Sequence, residues 1–239
     1  MASQPRAARS VQKDVDDVTV LTGEKVSQAE RAYIELKRLI LDNELPAGSH
    51  LLEAEASERL GMSRTPTREA MLRLQTEGLV EIRSRHGMRV LPLSSRDVRE
   101  MYEILTGLES IAAYAVAKRG VSDVELKNLR AAIDAMDAAL AIDDLTAWAK
   151  ADERFHAQLV SLSENQRLIA VVNQFVEQAH RARMLTLKLR PKPLQSNRDH
   201  EALIDALVQK DSEKARQIHH DHRERAKQTI IELLERLGF

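Results

Sequence analysis

The chain has 239 residues, with 36 Lys and Arg against 37 Asp and Glu, 8 histidines and no cysteine. A formal net charge of −1 excludes a generally basic nucleic-acid coat, and the lack of cysteine excludes a disulfide framework and thiolate metal sites. No apolar run reaches bilayer length, the size suits two hydrophobic cores, and a reducing cytoplasm is the expected compartment.

Residues 1–26 scatter Arg, Ser, Asp and Val without the apolar centre of a signal peptide and read as a flexible tail. A first helix is expected from Ser27 to Asn43, with Ala29, Tyr33, Leu36 and Ile40 on one stripe and Leu45-Pro46-Ala47-Gly48 ending it. His50, in the loop that follows, is uninformative.

The next forty residues carry the strongest signal. A short helix over Glu53–Leu60 is broken by Gly61, Ser63 or Thr65 can cap a second helix, and Pro66 sits in its first turn, where a missing N–H is tolerated. This second helix should run to about Glu77 and bury Ala70, Met71 and Leu74, leaving Arg64, Thr65, Thr67, Arg68 and Arg73 on or near its outer face. Beyond Gly78, Leu79 to Arg83 alternates as a strand, Ser84 to Gly87 turns, and Met88 to Leu91 returns. Helix, turn, helix and basic hairpin together read as a winged helix-turn-helix over residues 27–93. In such a domain the tip of the second helix enters the major groove of double-stranded DNA, and arginine forks pair with guanine edges. Arg83, Arg85, His86 and Arg89 lie on or beside the wing tip, where Gly87 allows close backbone approach. A plainer reading of the wing is a solvated basic edge that discourages sheet-to-sheet pairing.

These residues resemble the GntR transcriptional regulators. The likeness is carried by Glu53, by Leu60-Gly61 and the run from Ser63 to Met71 (SRTPTREAM), by Leu74, by Glu77-Gly78-Leu79-Val80, and by the wing glycine Gly87. The resemblance implies operator contacts from Arg64, Thr65 and Arg68 and a wing contact from His86 with Gly87. Ala54 departs from the arginine that the fatty-acid-responsive founder of the FadR subfamily carries there, so the operator sequence does not transfer.

From Ser94 onward the pattern is mainly α, an all-helical antiparallel bundle over residues 94–239. Six helices are expected, over 95–119, 122–141, 143–163, 165–189, 196–209 and 211–237. The second has a clear inward stripe of Leu126, Leu129, Ile133, Met136 and Leu140. The third holds a conflict. Its stripe runs Leu145, Trp148, Asp152, Phe155, Leu159, Leu162, so a carboxylate occupies an apolar slot, and a buried unpaired charge is unfavourable. His156 follows one turn later on the adjoining face. His200 aligns with Leu203, Ile204 and Leu207, and His222 with Ala215, Ile218 and Thr229. Three imidazoles and one carboxylate directed toward one axis could bind a divalent cation. Taken singly, each histidine also reads as a hydrogen-bonded core residue.

This second half is similar to the FCD effector domain of the FadR branch. The resemblance implies a metal set of Asp152, His156, His200 and His222, a metal that is zinc, nickel or manganese, dimer contacts through the FCD helices, and a small organic acid as effector. Many such domains carry an arginine four residues before the counterpart of Glu109, but here that place is Leu105. Either the metal anchors the effector, or Arg183, on the stripe of Ile169, Val172 and Val176, takes the role; the plainer reading of Arg183 is a snorkelling side chain at the bundle rim. His180, His219 and His220 fall outside the motif and read as surface or pocket-lining residues.

The expected function is therefore a ligand-responsive repressor, a homodimer on a palindromic operator, with effector and metal shifting the population of DNA-binding arrangements. Two other classes compete. A metal-dependent hydrolase or lyase with a vestigial winged domain could use the Asp/His cluster to activate water, but no separate general base is found. A protein-interaction module would suit a neutral outer helix face, which Arg64, Arg68 and Arg73 are not.

Overall fold

A computed structural model describes residues 26–83 and 86–239. The expectation of a flexible tail over 1–26 therefore falls almost wholly outside the described residues, as does Arg85 of the wing turn. The chain divides into two compact units, with the boundary between Pro92 and Leu93.

In the first unit, helix α1 (Gln28–Leu41) starts where the Ser27 side chain accepts a hydrogen bond from the Glu30 N–H at 3.1 Å. Strand β1 (His50–Leu51) leads into α2 (Glu53–Leu60), which Gly61 stops at φ 63°. Helix α3 spans Arg64–Thr76, and the hairpin strands β2 (Val80–Arg83) and β3 (Gly87–Val90) follow. The sheet has the order β1-β3-β2 and is antiparallel, pairing Leu51 with Met88 and Ile82 with Met88 on the other side. His50, expected in a loop, is thus the first residue of a strand. Ala70, Met71 and Leu74 of α3 are buried against Leu36, Leu39 and Ile40 of α1 together with Val80, Met88 and Val90 of the sheet. Each fully buried Leu, Ile, Met or Val in such a core contributes about 1.5–3 kcal/mol.

The second unit holds the helices α4 (Ser95–Arg119), α5 (Asp123–Ala141), α6 (Leu145–Leu162), α7 (Gln166–Thr186), α8 (Leu194–Val208) and α9 (Ser212–Arg236). Five of the six starts are set by side chains that accept from otherwise unpaired N–H groups: Ser94, Ser122, Asp144, Asn165 and Asp211. The expected boundaries shift for this reason. The capping residues themselves stand outside the helices, so 143–163 narrows to α6. The expected helix over 165–189 is α7 followed by a 3-10 turn over Leu187–Leu189, and α8 begins two residues before the expected 196, directly after Pro193. Helix α4 packs along α9, and α5 packs along α6. Leu129, Ile133, Phe155, Leu159, Ile204 and Leu207 are essentially without exposure and form the centre of the larger core. Among the described residues, no helix is long and apolar enough to cross a membrane.

Candidate nucleic-acid interface and metal centre

In the first unit Arg64, Thr65 and Arg68 are exposed on the N-terminal part of α3, where free helix amides already favour an anion. Arg64 and Arg68 line a concave groove of about 410 Å³ together with Glu53 and Ala54 of α2 and Arg83 and Gly87 of the hairpin. His86 is exposed at the hairpin, its backbone N–H donating to the Arg83 carbonyl at 3.0 Å.

Of the other residues expected at this face, Thr67 is buried, and the exposed Arg73 and the half-buried Gly87 are engaged by contacts within the chain. Thr67 is fully buried and its hydroxyl donates to the Ser63 carbonyl at 3.0 Å; the 3.6-residue period turns it beneath the helix, between Arg64 and Arg68. Arg73, nearly three turns from the tip, is held by its own domain. Its guanidinium lies 3.5 Å from the centre of the Tyr33 ring and donates to Glu30 at 2.6 Å. Gly87 owes its identity to an intrachain contact. Its φ is +71°, and a Cβ there would stand 2.3 Å from the Leu51 carbonyl oxygen, so the close approach is to β1.

In the second unit, one ligand atom each from Asp152, His156, His200 and His222 lies within 4.8 Å of the others, and all four residues are buried. Helix α6 supplies the first two one turn apart, α8 the third and α9 the fourth. The Nε2 atoms of His156 and His222 face each other at 3.3 Å. Asp152 Oδ1 is 3.6 Å from His156 Nε2 and 3.7 Å from His200 Nε2. Ligands at about 2.0–2.2 Å from a tetrahedral ion stand roughly 3.3–3.6 Å apart, so the spacing suits a cation at the centre. The donor set passes a second test: His200 is 1% exposed, and neither of its ring nitrogens has a hydrogen-bond partner.

Outer partners orient these groups. His222 Nδ1 is 3.3 Å from Asp199 Oδ2, which is itself bonded by Arg225. His156 Nδ1 is 3.2 Å from Glu109 Oε2, off the line of an ideal hydrogen bond. A carboxylate behind an imidazole fixes its tautomer and leaves Nε2 as the ligand atom. The second oxygen of Asp152 accepts from Arg183 Nη1 at 2.6 Å, and Glu109 Oε1 is ion-paired with Arg223 Nη2 at 3.0 Å.

The electrostatics follow from burial and these pairings. Burial opposes the charge on Asp152, yet His156, Arg183 and His200 together hold its carboxyl well below the usual range. Glu109 is likewise lowered against burial by Arg223, His156 and His219. Burial disfavours protonation of His156, but the carboxylates of Asp152 and Glu109 outweigh it and raise its pKa. For His200 and His222 burial prevails and their pKa values fall, which favours the neutral imidazole that a metal requires. Asp199 is lowered to about 2, burial being outweighed by hydrogen bonds from His222, Gln195 and Arg225.

His219, expected on the surface or a pocket wall, is 1% exposed, 3.5 Å from Glu109, with neither ring nitrogen hydrogen-bonded. With Glu109 and His156 it forms a second group of donors that shares His156 with the first. His180 is also buried, 2.8 Å from Glu153, while His220 is half-buried. Arg183 is 7% exposed and does not snorkel at the rim; it and Arg223 line a cavity of about 320 Å³ beside His156. The Glu109–Arg223 pair, His219 and Asp199 were absent from the sequence-based site. A signal existed for two of them: Ala215, His219 and His222 recur at helical spacing on one face of α9, and Arg223 follows His219 by four.

Residues 28–90 match the bacterial regulatory proteins of the gntR family, and residues 100–225 match the FCD domain. The chain is 42% identical over 157 residues to an HTH-type transcriptional regulator in the TAR-I ttuE-ttuC' intergenic region of Agrobacterium vitis, covering 64% of this chain and 92% of that one. It is 31% identical over 196 residues to a protein of Paenarthrobacter nicotinovorans named as a D-xylose utilization operon transcriptional repressor, covering 82% of this chain and 84% of the relative. The structure of Escherichia coli McbR/YncC superposes with a TM-score of 0.74 at 22% identity, over 90% of this chain and 100% of that one, a likeness of fold. Helix-turn-helix, wing and helical bundle thus agree with both matches, and the chain belongs to the gntR family of bacterial regulatory proteins, a DNA-binding transcriptional regulator with a C-terminal FCD domain rather than an enzyme.

Proposed function

We propose that this regulator is a repressor of the FadR branch that binds a palindromic operator as a homodimer, and that its FCD domain senses a small organic acid with the help of a divalent cation, zinc first among the candidates. Arg64, Thr65 and Arg68 would contact the operator from the helix tip, with Arg83 and His86 on the hairpin side. Asp152, His156, His200 and His222 would hold the cation. The observation that carries the metal reading is His200: a buried imidazole with both nitrogens unpaired, 3.7 Å from a carboxylate oxygen. A cation would satisfy it and would displace the proton that Asp152 and Glu109 draw onto His156. Two-fold symmetry is supported by the need to place two recognition helices on successive major grooves. A relative named as a repressor supports the direction of control.

Paired variants test the two halves. Arg64→Ala should weaken retardation of the chain's own upstream DNA at moderate salt by roughly 1–3 kcal/mol, with metal content retained. His200→Ala should lower metal content in elemental analysis while effector-free operator binding persists. Unchanged retardation by the first, or unchanged metal in the second, removes that residue from its assigned site.

A further inference from the structure

The cavity beside the proposed cation has a polar pole and an apolar body. Its buried polar lining is Glu109, His156, Arg183 and Arg223, while Leu105, Val160, Val172 and Ala179 are buried apolar walls. Ser161 and Asn173 also line it but are exposed. Arg183 donates to Asp152 and Arg223 is ion-paired with Glu109, each through one terminal nitrogen, and each keeps a buried Nε–H without a partner. Unmet guanidinium donors beside a cation site suit one carboxylate. The buried walls offer no donor or acceptor, and the half-buried Glu153 in the lining would repel a second carboxylate, so a dicarboxylate or a run of hydroxyls would find polar partners only in the exposed Ser161 and Asn173. At about 320 Å³ the cavity holds on the order of ten water-sized groups, at about 30 Å³ each.

We infer that the effector is a monocarboxylate with a compact apolar body, such as a short alkyl or aryl acid, and that Val172 and its neighbours select against polyhydroxy acids and dicarboxylates. This rests on the metal-assisted acid site proposed above. It also separates the chain from what the name of its D-xylose relative would suggest, since a sugar-derived ligand would meet valine and leucine where it needs hydrogen bonds.

The test is titration calorimetry of the full-length, zinc-loaded protein with hexanoate, phenylacetate, gluconate, adipate and the neutral hexanamide. Hexanoate or phenylacetate should bind at least roughly tenfold more tightly than gluconate, adipate or hexanamide. Val172→Thr, which keeps shape and adds a hydroxyl, should weaken the preferred acid by roughly tenfold at unchanged zinc content, and the half-buried Val176→Thr does the same job should the first variant not fold. Gluconate or adipate binding as well as hexanoate overturns the inference and leaves the acid site standing. If no acid binds the zinc-loaded protein, or hexanamide binds as well as hexanoate, the acid site and the inference fall together. An unchanged affinity in a folded valine variant overturns the assignment of the apolar wall.

Discussion

The two units hold their functional charges in opposite ways. In the first, Arg64 and Arg68 are exposed and stand on a helix whose opposite, apolar side packs into the core. In the second, Asp152, Glu109, Arg183, Arg223 and four histidines are all at least nine-tenths buried. An exposed cation waits for its partner in water and stabilises little by itself. A buried charge must be answered atom by atom, and the bundle answers each carboxylate with a guanidinium and an imidazole. On the proposed assignments, recognition and folding are separable in the winged domain and inseparable in the FCD domain.

The sharpest way to break this contrast is to remove one member of a buried pair. Asp152→Ala leaves Arg183 charged and buried without its 2.6 Å partner, and denaturation in chelator should lose about 3–5 kcal/mol. The double variant Asp152→Leu with Arg183→Met should recover most of that. Arg64→Ala, by contrast, should leave the same denaturation curve within about 0.5 kcal/mol of the parent. If Asp152→Ala is equally mild, the charges of the bundle are not coupled to its fold.

Acid should distinguish the metal-free bundle in the same direction. His200, His219 and His222 have lowered pKa values in the fold, each chiefly through burial, so below the ordinary histidine value of about 6.5 the unfolded chain binds protons that the folded chain refuses. His156, raised by its carboxylates, opposes this but is outnumbered. Stability should therefore fall as pH drops through about 6.5 to 5, by about 1.4 kcal/mol per pH unit for each proton held only by the unfolded chain. Denaturation of chelated protein at pH 8, 6.5 and 5 checks the sign. A flat profile would mean that the imidazoles are wetter than their burial indicates.

A milder perturbation acts one shell out. Asp199→Asn keeps the shape behind His222 but withdraws the negative charge 3.3 Å from Nδ1, and metal affinity should fall by about 10–100-fold in competition with a chelator. An unchanged affinity would show that His222 needs no orienting group.

Sequence reading reached these two regions unequally. Periodicity located every helix of the bundle because apolar stripes such as Leu129, Ile133, Met136 and Leu140 are long and regular. The conflict of Asp152 with its stripe pointed to the centre of the site. What stayed hidden depended on partners remote in sequence. Strand β1 is two residues long, too short for alternation, and exists only because Met88 and Arg89 of β3 pair with it. Arg223 meets Glu109 across two helices more than a hundred positions apart, and nothing local to either announces the other. His219 was legible in principle, since its spacing from Ala215 and His222 placed it inward.

Thr67 offers the smallest effect and tests the exposed side of the comparison. The polarity pattern of the helix sets it on or near the outer face, but its hydroxyl is spent on the Ser63 carbonyl inside the first turn of α3 and its surface is fully covered. Thr67→Val keeps the branched shape and removes that one hydrogen bond. Stability should drop by about 1 kcal/mol, while retardation of operator DNA stays within twofold of the parent under conditions where Arg68→Ala loses tenfold or more. A loss for Thr67→Val comparable to that for Arg68→Ala would mean that the start of α3 opens to admit DNA, so that even the exposed unit couples its fold to its partner.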